Sequence, residues 1–207
     1  MPIKISMIPN GPIKLDADAE DSPVLGHAAG DIPLEKTTFL CRCGESQNKP
    51  FCDGAHAAKG YTDENRCERD ALLDAEAPGI TVHFNRAICS GAGACVRGLP
   101  AVFVSGAKDW IRPAEASADE VIATVKKCPS GALTYTRDGE THKRDESAVT
   151  MKIVKNGPYE VTGPVEFEPP KWSENASRTC FALCRCGRSD NAPFCDYSHG
   201  EQGWKDE

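Results

Sequence analysis

The sequence predicts an α+β protein built of small modules, two alike on the outside and a different one between them. Three observations lead there. The chain has 207 residues, 40% hydrophobic and only 7% aromatic, a thin supply for one large core at this length. Its 11 cysteines make up about 5% of residues, below the roughly 8 to 10% of a disulfide scaffold, and an odd number cannot pair off completely. The chain also repeats itself: Leu40-Cys41-Arg42-Cys43-Gly44 returns as Leu183-Cys184-Arg185-Cys186-Gly187 at an offset of 143 residues. Small units that bind metal ions or clusters satisfy all three.

The repeat is longer than these five residues. Ser46, Asn48, Pro50-Phe51-Cys52-Asp53 and His56 recur as Ser189, Asn191, Pro193-Phe194-Cys195-Asp196 and His199, and upstream Asn10-Gly11-Pro12-Ile13 answers to Asn156-Gly157-Pro158-Tyr159. Each copy opens with an apolar-alternating stretch, Ile3 to Ile8 and Met151 to Val154, turns at Asn-Gly-Pro, and runs extended again. That pattern reads as strand, turn, strand, then a polar loop and the cysteine segment. The charged, Ala-rich residues 62–79, closed by Pro78-Gly79, read as a linker. The expected modules are therefore residues 1–61, 80–145 and 146–207.

Charge and targeting signals narrow the function classes. The net charge of −7 is spread as −6 over residues 1–76, +2 over 77–145 and −3 over 146–207; with no basic run, nucleic acid is not an expected partner. No run of about 18 apolar residues crosses a membrane, and Met1-Pro2-Ile3-Lys4-Ile5-Ser6 lacks the plan of a secretory signal. A soluble, cytoplasmic protein is expected. A reducing compartment leaves thiols available as ligands.

In the first motif, Cys41 and Cys43 stand at i and i+2 of an extended segment and point the same way, while Cys52 and His56 stand at i and i+4, on one face of a helix beginning near Asp53. Asp53 is a good N-cap. Two such half-sites can close around one tetrahedral zinc or around the two irons of a [2Fe–2S] cluster, and spacing alone does not choose. The run C-x-C-x-x-S-x-x-x-P-x-C-D-G-A-H from Cys41 to His56 resembles the CDGSH iron–sulfur domain of the mitoNEET family at every fixed position. The resemblance implies a [2Fe–2S] cluster with Cys41 and Cys43 on one iron and Cys52 and His56 on the other. It also implies that two such units pair, here inside one chain.

The second motif places Cys184, Cys186, Cys195 and His199 at the same spacing, with Tyr197 where the family has glycine. If that position needs a positive φ, tyrosine strains it or forms a bulky wall; in a helix first turn it could shield the histidine. A working but altered second cluster is expected. With one neutral imidazole in place of a thiolate, each cluster should have a higher potential than an all-cysteine one, and protonation of His56 or His199 competes with iron as pH falls.

The middle module begins as a strand over Ile80 to Phe84, followed by the loop Cys89-Ser90-Gly91-Ala92-Gly93-Ala94-Cys95. Ser117 caps a helix through Glu120, Val121, Val125 and Lys126, ending at Cys128, and Ala132 to Tyr135 returns as a strand. Cys95-Val96-Arg97-Gly98-Leu99-Pro100 and Cys128-Pro129-Ser130-Gly131-Ala132-Leu133 resemble a divergent single-cluster ferredoxin domain. Ala92 stands where a ferredoxin run would carry its second cysteine. Cys89, Cys95 and Cys128 are thus expected to hold a [3Fe–4S] cluster, or a [4Fe–4S] cluster with one iron bound by solvent or a non-cysteine group; the alternative is three cysteines kept for packing.

Cys67, Cys180, His27, His83 and His142 occupy no motif position and are read as non-ligands, and Trp110, Trp172 and Trp204 as covers of module seams. Gly91 and Gly93 are too little for a nucleotide loop. No catalytic constellation appears, so the chain is not expected to be an enzyme. It is expected to carry single electrons between redox partner proteins as a monomer with its two outer units paired. A cluster donor to apo-acceptors, a redox or pH sensor, and a structural zinc protein are the alternatives.

Overall fold

Short strands dominate the structure, a computed structural model that describes residues 3–17, 24–27, 30–33 and 35–206. The architecture is mixed α+β, as expected. Strands β1 (Lys4–Met7) and β2 (Ile13–Asp16) form a hairpin, and β2 also pairs with a later strand, Thr37–Leu40. The second repeat builds the same hairpin from Thr150–Ile153 and Tyr159–Thr162, and Cys180–Leu183 pairs along its far side. Asn10 and Asn156 turn both hairpins at φ 50° and 54°, in the left-handed region that asparagine tolerates better than most residues.

The two outer sheets trade strands. Glu166–Phe167 lies parallel to β1, completing the sheet of the N-terminal half, while β3 (Val24–Gly26) lies parallel to Thr150–Ile153 and carries β4 (Ile32–Pro33) outside it. In chain order Thr37–Leu40 is β5, followed by helix α1 (Ala55–Ala58). Each exchange covers a sheet edge that would otherwise expose unpaired backbone groups.

The middle sheet runs β6 (Leu72–Ala77), β7 (Ile80–Asn85), β8 (Leu133–Arg137), β9 (Glu140–His142). Between β7 and β8 lie α2 (Ala94–Gly98) and α3 (Ala118–Val125). Ser117 caps α3 with a reciprocal box, its side chain accepting from Glu120 and the Glu120 carboxylate accepting from the Ser117 amide. Val121, Thr124 and Val125 form its buried face.

The expected linker 62–79 departs from its reading at both ends. Residues 72–77 pair with β7 along their whole length through the Pro78-Gly79 turn, where Gly79 takes φ 78°. Their side chains are exposed or half-buried, so the two-residue apolar alternation that announces a strand is missing. At the other end Asp63 is tied into the first repeat by Arg42 and Asn10.

The remaining strands complete the numbering: β10 (Thr150–Ile153), β11 (Tyr159–Thr162), β12 (Glu166–Phe167) and β13 (Cys180–Leu183), followed by α4 (Ser198–Glu201). One apolar core runs through all three sheets. Within it Phe167, Trp172, Phe181 and Phe194 pack ring against ring, and Trp110 sits edge-on to Phe84 at 4.7 Å. Trp110 therefore packs inside the middle module, whereas Trp172 packs against both Phe167 of the first sheet and Phe181 of the second, and Trp204 lies at the seam of the two cysteine loops, its Nε1 donating to the Gly44 carbonyl at 3.4 Å. Among the described residues no helix is long and apolar enough to cross a membrane.

Candidate metal centres

Directly after β5 the chain brings Cys41 and Cys43 to one side, with their sulfurs 3.6 Å apart. It then folds back: Cys41 N donates to Pro50 O and Cys52 N to Phe39 O. That return sets Cys52 Sγ 3.5 Å from His56 Nδ1 at the start of α1. The second repeat reproduces both pairs, Cys184 and Cys186 at 3.7 Å and Cys195 and His199 Nδ1 at 3.4 Å, and both returns pass through a cis proline, Pro50 and Pro193. Among the described residues no three His, Cys, Asp or Glu side chains close on one point as a single ion needs.

The helix cap differs from the expectation. Gly54, at φ 87°, is the N-cap of α1, and Asp53 stands one residue earlier, its carboxylate accepting from the amides of Ala55 and Gln47. Aspartate's short side chain favours this local turn. Tyr197 is the N-cap of α4 at φ 77°, so the family glycine position does require the left-handed region.

The donor chemistry fits an electron-poor metal group. The Cys43 thiol donating to Cys41 lowers the Cys41 thiol to about 6 against the opposing effect of burial, helped by the amides of Ser46, Gly44 and Cys43. In the second repeat Cys184 falls to about 7, by the same bond from Cys186 and amides from Ser189, Gly187 and Cys186. Their partners Cys43 and Cys186 are pushed up, because each pair shares one proton. A thiolate aimed at by several amides is a prepared ligand. Burial also holds His199 below its ordinary value, with the charge of Asp196 opposing and that of Arg185 assisting; a ligand imidazole must be neutral.

A buried arginine frames each centre, between its two leading cysteines. Arg42 donates to the carbonyls of Gly11 and Ile8 at 2.7 Å and to Asp63 at 2.5 Å; Arg185 donates to Gly157 and Val154 at 2.8 Å and to Asp206. Asn10 and Asn156 accept from the Asp63 and Asp206 amides. These residues lock hairpin, cysteine loop and helix end together. Motif spacing misses them, although Asp63 and Asp206 keep the 143-residue offset.

The two outer centres meet across a seam where Cys43 and Cys186 form an antiparallel bridge. A methyl group added at Gly44 would stand 2.5 Å from Cys186 O, and one at Gly187 would stand 2.3 Å from Cys43 O. Glycine is required at both. Burial differs between the centres: Cys52 and His56 are half-buried, whereas Cys195 and His199 are 2% and 9% exposed.

In the middle module Cys89, Cys95 and Cys128 line one pocket together with Gly91, Ala92, Gly93, Ser90 and Ser130. Burial pushes Cys89 up to about 11 and raises Cys95. The three thiols line a common pocket, and Ala92 lines it without contributing a thiol. Cys180 is outside it, its sulfur against the carbonyls of Cys128 and Pro129, and Cys67 is half-buried in the loop after the first centre. His83 is held by Asp74 and Thr136, and His142 stacks on Tyr135.

Comparisons with known proteins agree with this division. The family described as "Iron-binding zinc finger CDGSH type" matches residues 2–57 and 156–200, and "Divergent 4Fe-4S mono-cluster" matches residues 76–138. Relatives include the uncharacterized protein YjdI of Escherichia coli strain K12 and that of Escherichia coli O157:H7. Each is 46% identical over 56 residues, 27% of this chain and 74% of the relative.

Proposed function

We infer, for a chain that belongs to the CDGSH iron-binding family in its outer regions and to the divergent 4Fe–4S mono-cluster family in its middle, that it is a one-electron carrier. Cys41, Cys43, Cys52 and His56 hold one [2Fe–2S] cluster, and Cys184, Cys186, Cys195 and His199 another. Cys89, Cys95 and Cys128 hold a third, for which the family description favours four irons over the three that the thiolate count alone suggests. When bound, such groups accept and release single electrons. The protein's part is to supply prepared thiolates and neutral imidazoles, to exclude water, and to fix the centres relative to one another.

The observation that carries this reading is the duplicated geometry of two ligand pairs per outer centre at 3.4 to 3.7 Å. The match of both units to the iron-binding CDGSH family supports two irons per centre over one structural zinc. The strand trades between the outer sheets and the Cys43–Cys186 bridge support an internally paired monomer. Half-burial of Cys52 and His56 favours a second role, release of the first cluster to an apo-acceptor.

Iron and acid-labile sulfide analysis of anaerobically purified protein, with low-temperature EPR before and after dithionite, tests the reading. About seven or eight irons and two reduced [2Fe–2S] signals are expected. Stoichiometric zinc in a colourless protein would overturn it.

A further inference from the structure

Comparing the repeats position by position reveals a compensated exchange of size. The first carries Gly54 and Ala57; the second carries Tyr197 and Gly200 at the same offset. The Tyr197 ring fills the space both glycines leave: a methyl group added at Gly200 would stand 2.2 Å from Cε2, and one at Gly91, in the middle-module loop, 2.0 Å from Cδ2. A side chain at Gly54 would meet nothing within 4 Å. Tyr197 keeps this place at φ 77°, a backbone region that is unfavourable for a bulky residue. The surrounding contacts over-determine it.

Those contacts run to the loop leading into Cys89. Arg86 donates to the Asp196 carbonyl at 2.7 Å and pairs with Glu201 at 2.6 Å, and Asn191 donates to the Ala87 carbonyl at 2.9 Å. Position 58 of the first repeat is alanine where the second has Glu201. The Tyr197 ring meets His199 edge-on at 5.3 Å. One ring thus touches the loop of the three-cysteine pocket on one side and a ligand candidate of the second outer centre on the other.

We propose that Tyr197 is a positioning residue that docks the second outer centre on the three-cysteine pocket, making that centre an internal electron station and leaving the first outer centre to meet external partners. The proposal rests on the cluster reading above. In the route it implies, one electron leaves the three-cysteine centre, oxidised by one unit, and enters the Cys195–His199 centre, reduced by one. No bond is made or broken, and a one-electron reductant protein resupplies the first.

The test uses full-length holoprotein carrying Tyr197→Phe, the double substitution Tyr197→Gly with Gly200→Ala that restores the first-repeat pair, and Gly91→Ala, which acts from the middle module. Three readouts serve: EPR line broadening between the reduced middle and second-centre clusters, the rate of iron loss to a chelator at neutral pH, and hydrogen exchange at amides 90–93. Wild type should lose its two [2Fe–2S] clusters at rates differing at least tenfold. The double variant should bring the slow phase to within threefold of the fast one, lose the broadening and expose the loop amides, while Tyr197→Phe keeps all three wild-type behaviours. Gly91→Ala should move the same readouts in the same direction, and decides the matter if the double variant fails to load. Unchanged rates and broadening in a fully loaded double variant, or in Gly91→Ala, would overturn the proposal and leave the cluster reading standing. Wild type without iron and sulfide would overturn both.

Discussion

The phenol of Tyr159, at the start of β11 in the second repeat, donates a 2.8 Å hydrogen bond to the backbone carbonyl of Cys41 in the first, and a 3.2 Å bond to that of Pro50. Its side chain is fully buried, so burial keeps the phenol neutral. The matching position of the first repeat is Ile13, and the tie therefore runs one way. Tyr159→Phe removes the donor and leaves buried acceptors short of a partner, which costs about 1 to 2 kcal/mol. Urea melts should show that loss as a lower midpoint with an unchanged slope; an equal midpoint would mean that water replaces the hydroxyl.

Asp63 and Asp206 set the acid limit of the fold itself. Burial alone would raise both carboxyls, but the hydrogen bonds and charges of Arg42 and Arg185 prevail and hold them below the ordinary carboxylate range. A depressed carboxyl contributes stability in full above its unfolded value, about 3.9, and loses it as pH falls through the folded value beneath. If His56 and His199 hold iron as proposed, protons displace them at milder acidity. Parallel titrations should therefore show visible absorbance disappearing before far-UV circular dichroism. Asp63→Asn should lower stability at neutral pH by about 2 to 3 kcal/mol, discounted for its partial exposure, and should flatten the decline below pH 4.

Much of this architecture was legible in the sequence, because the repeat aligns cysteine with cysteine and histidine with histidine and the α3 capping box is written in Ser117 and Glu120. What escaped has physical causes. Strand β6 hides because its faces are nearly equally exposed, and the β1–β12 and β3–β10 pairings because backbone bonds between distant segments leave no local pattern. Nothing in the cysteine spacing marks Arg42 and Arg185 as buried; only their carbonyl partners reveal it. Tyr197 was visible as a departure, but its reason lies in Gly91, more than a hundred residues away, and in Gly200.

Ala92 stands on the wall of the three-cysteine pocket, at the position where a ferredoxin run carries a thiolate. Ala92→Cys should supply the fourth ligand with little change in packed volume. If the wild-type centre holds three irons, the variant should gain about one iron per chain and lose the oxidised-state EPR signal. If it already holds four, iron content stays constant and the cluster instead survives oxidation longer. An unaltered iron count together with unaltered oxidative lifetime would place residue 92 outside the ligand shell.

Replacing histidine by cysteine separates the outer centres by chemistry. His56→Cys adds a thiolate charge to a half-exposed centre, which stabilises the oxidised over the reduced form and should lower that potential by something on the order of 100 mV, in the direction of all-cysteine clusters. The same change removes the imidazole whose protonation opens the site, so the cluster should persist to lower pH. His199→Cys should act with the same sign on the other centre. There the added negative charge is 9% exposed where His199 now stands, and less screening by water should make the shift larger. Potentiometric titrations of the two variants, followed by EPR, should return two downward shifts with that of His199→Cys the greater; a potential or acid profile left untouched by either change would remove that histidine from the ligand set.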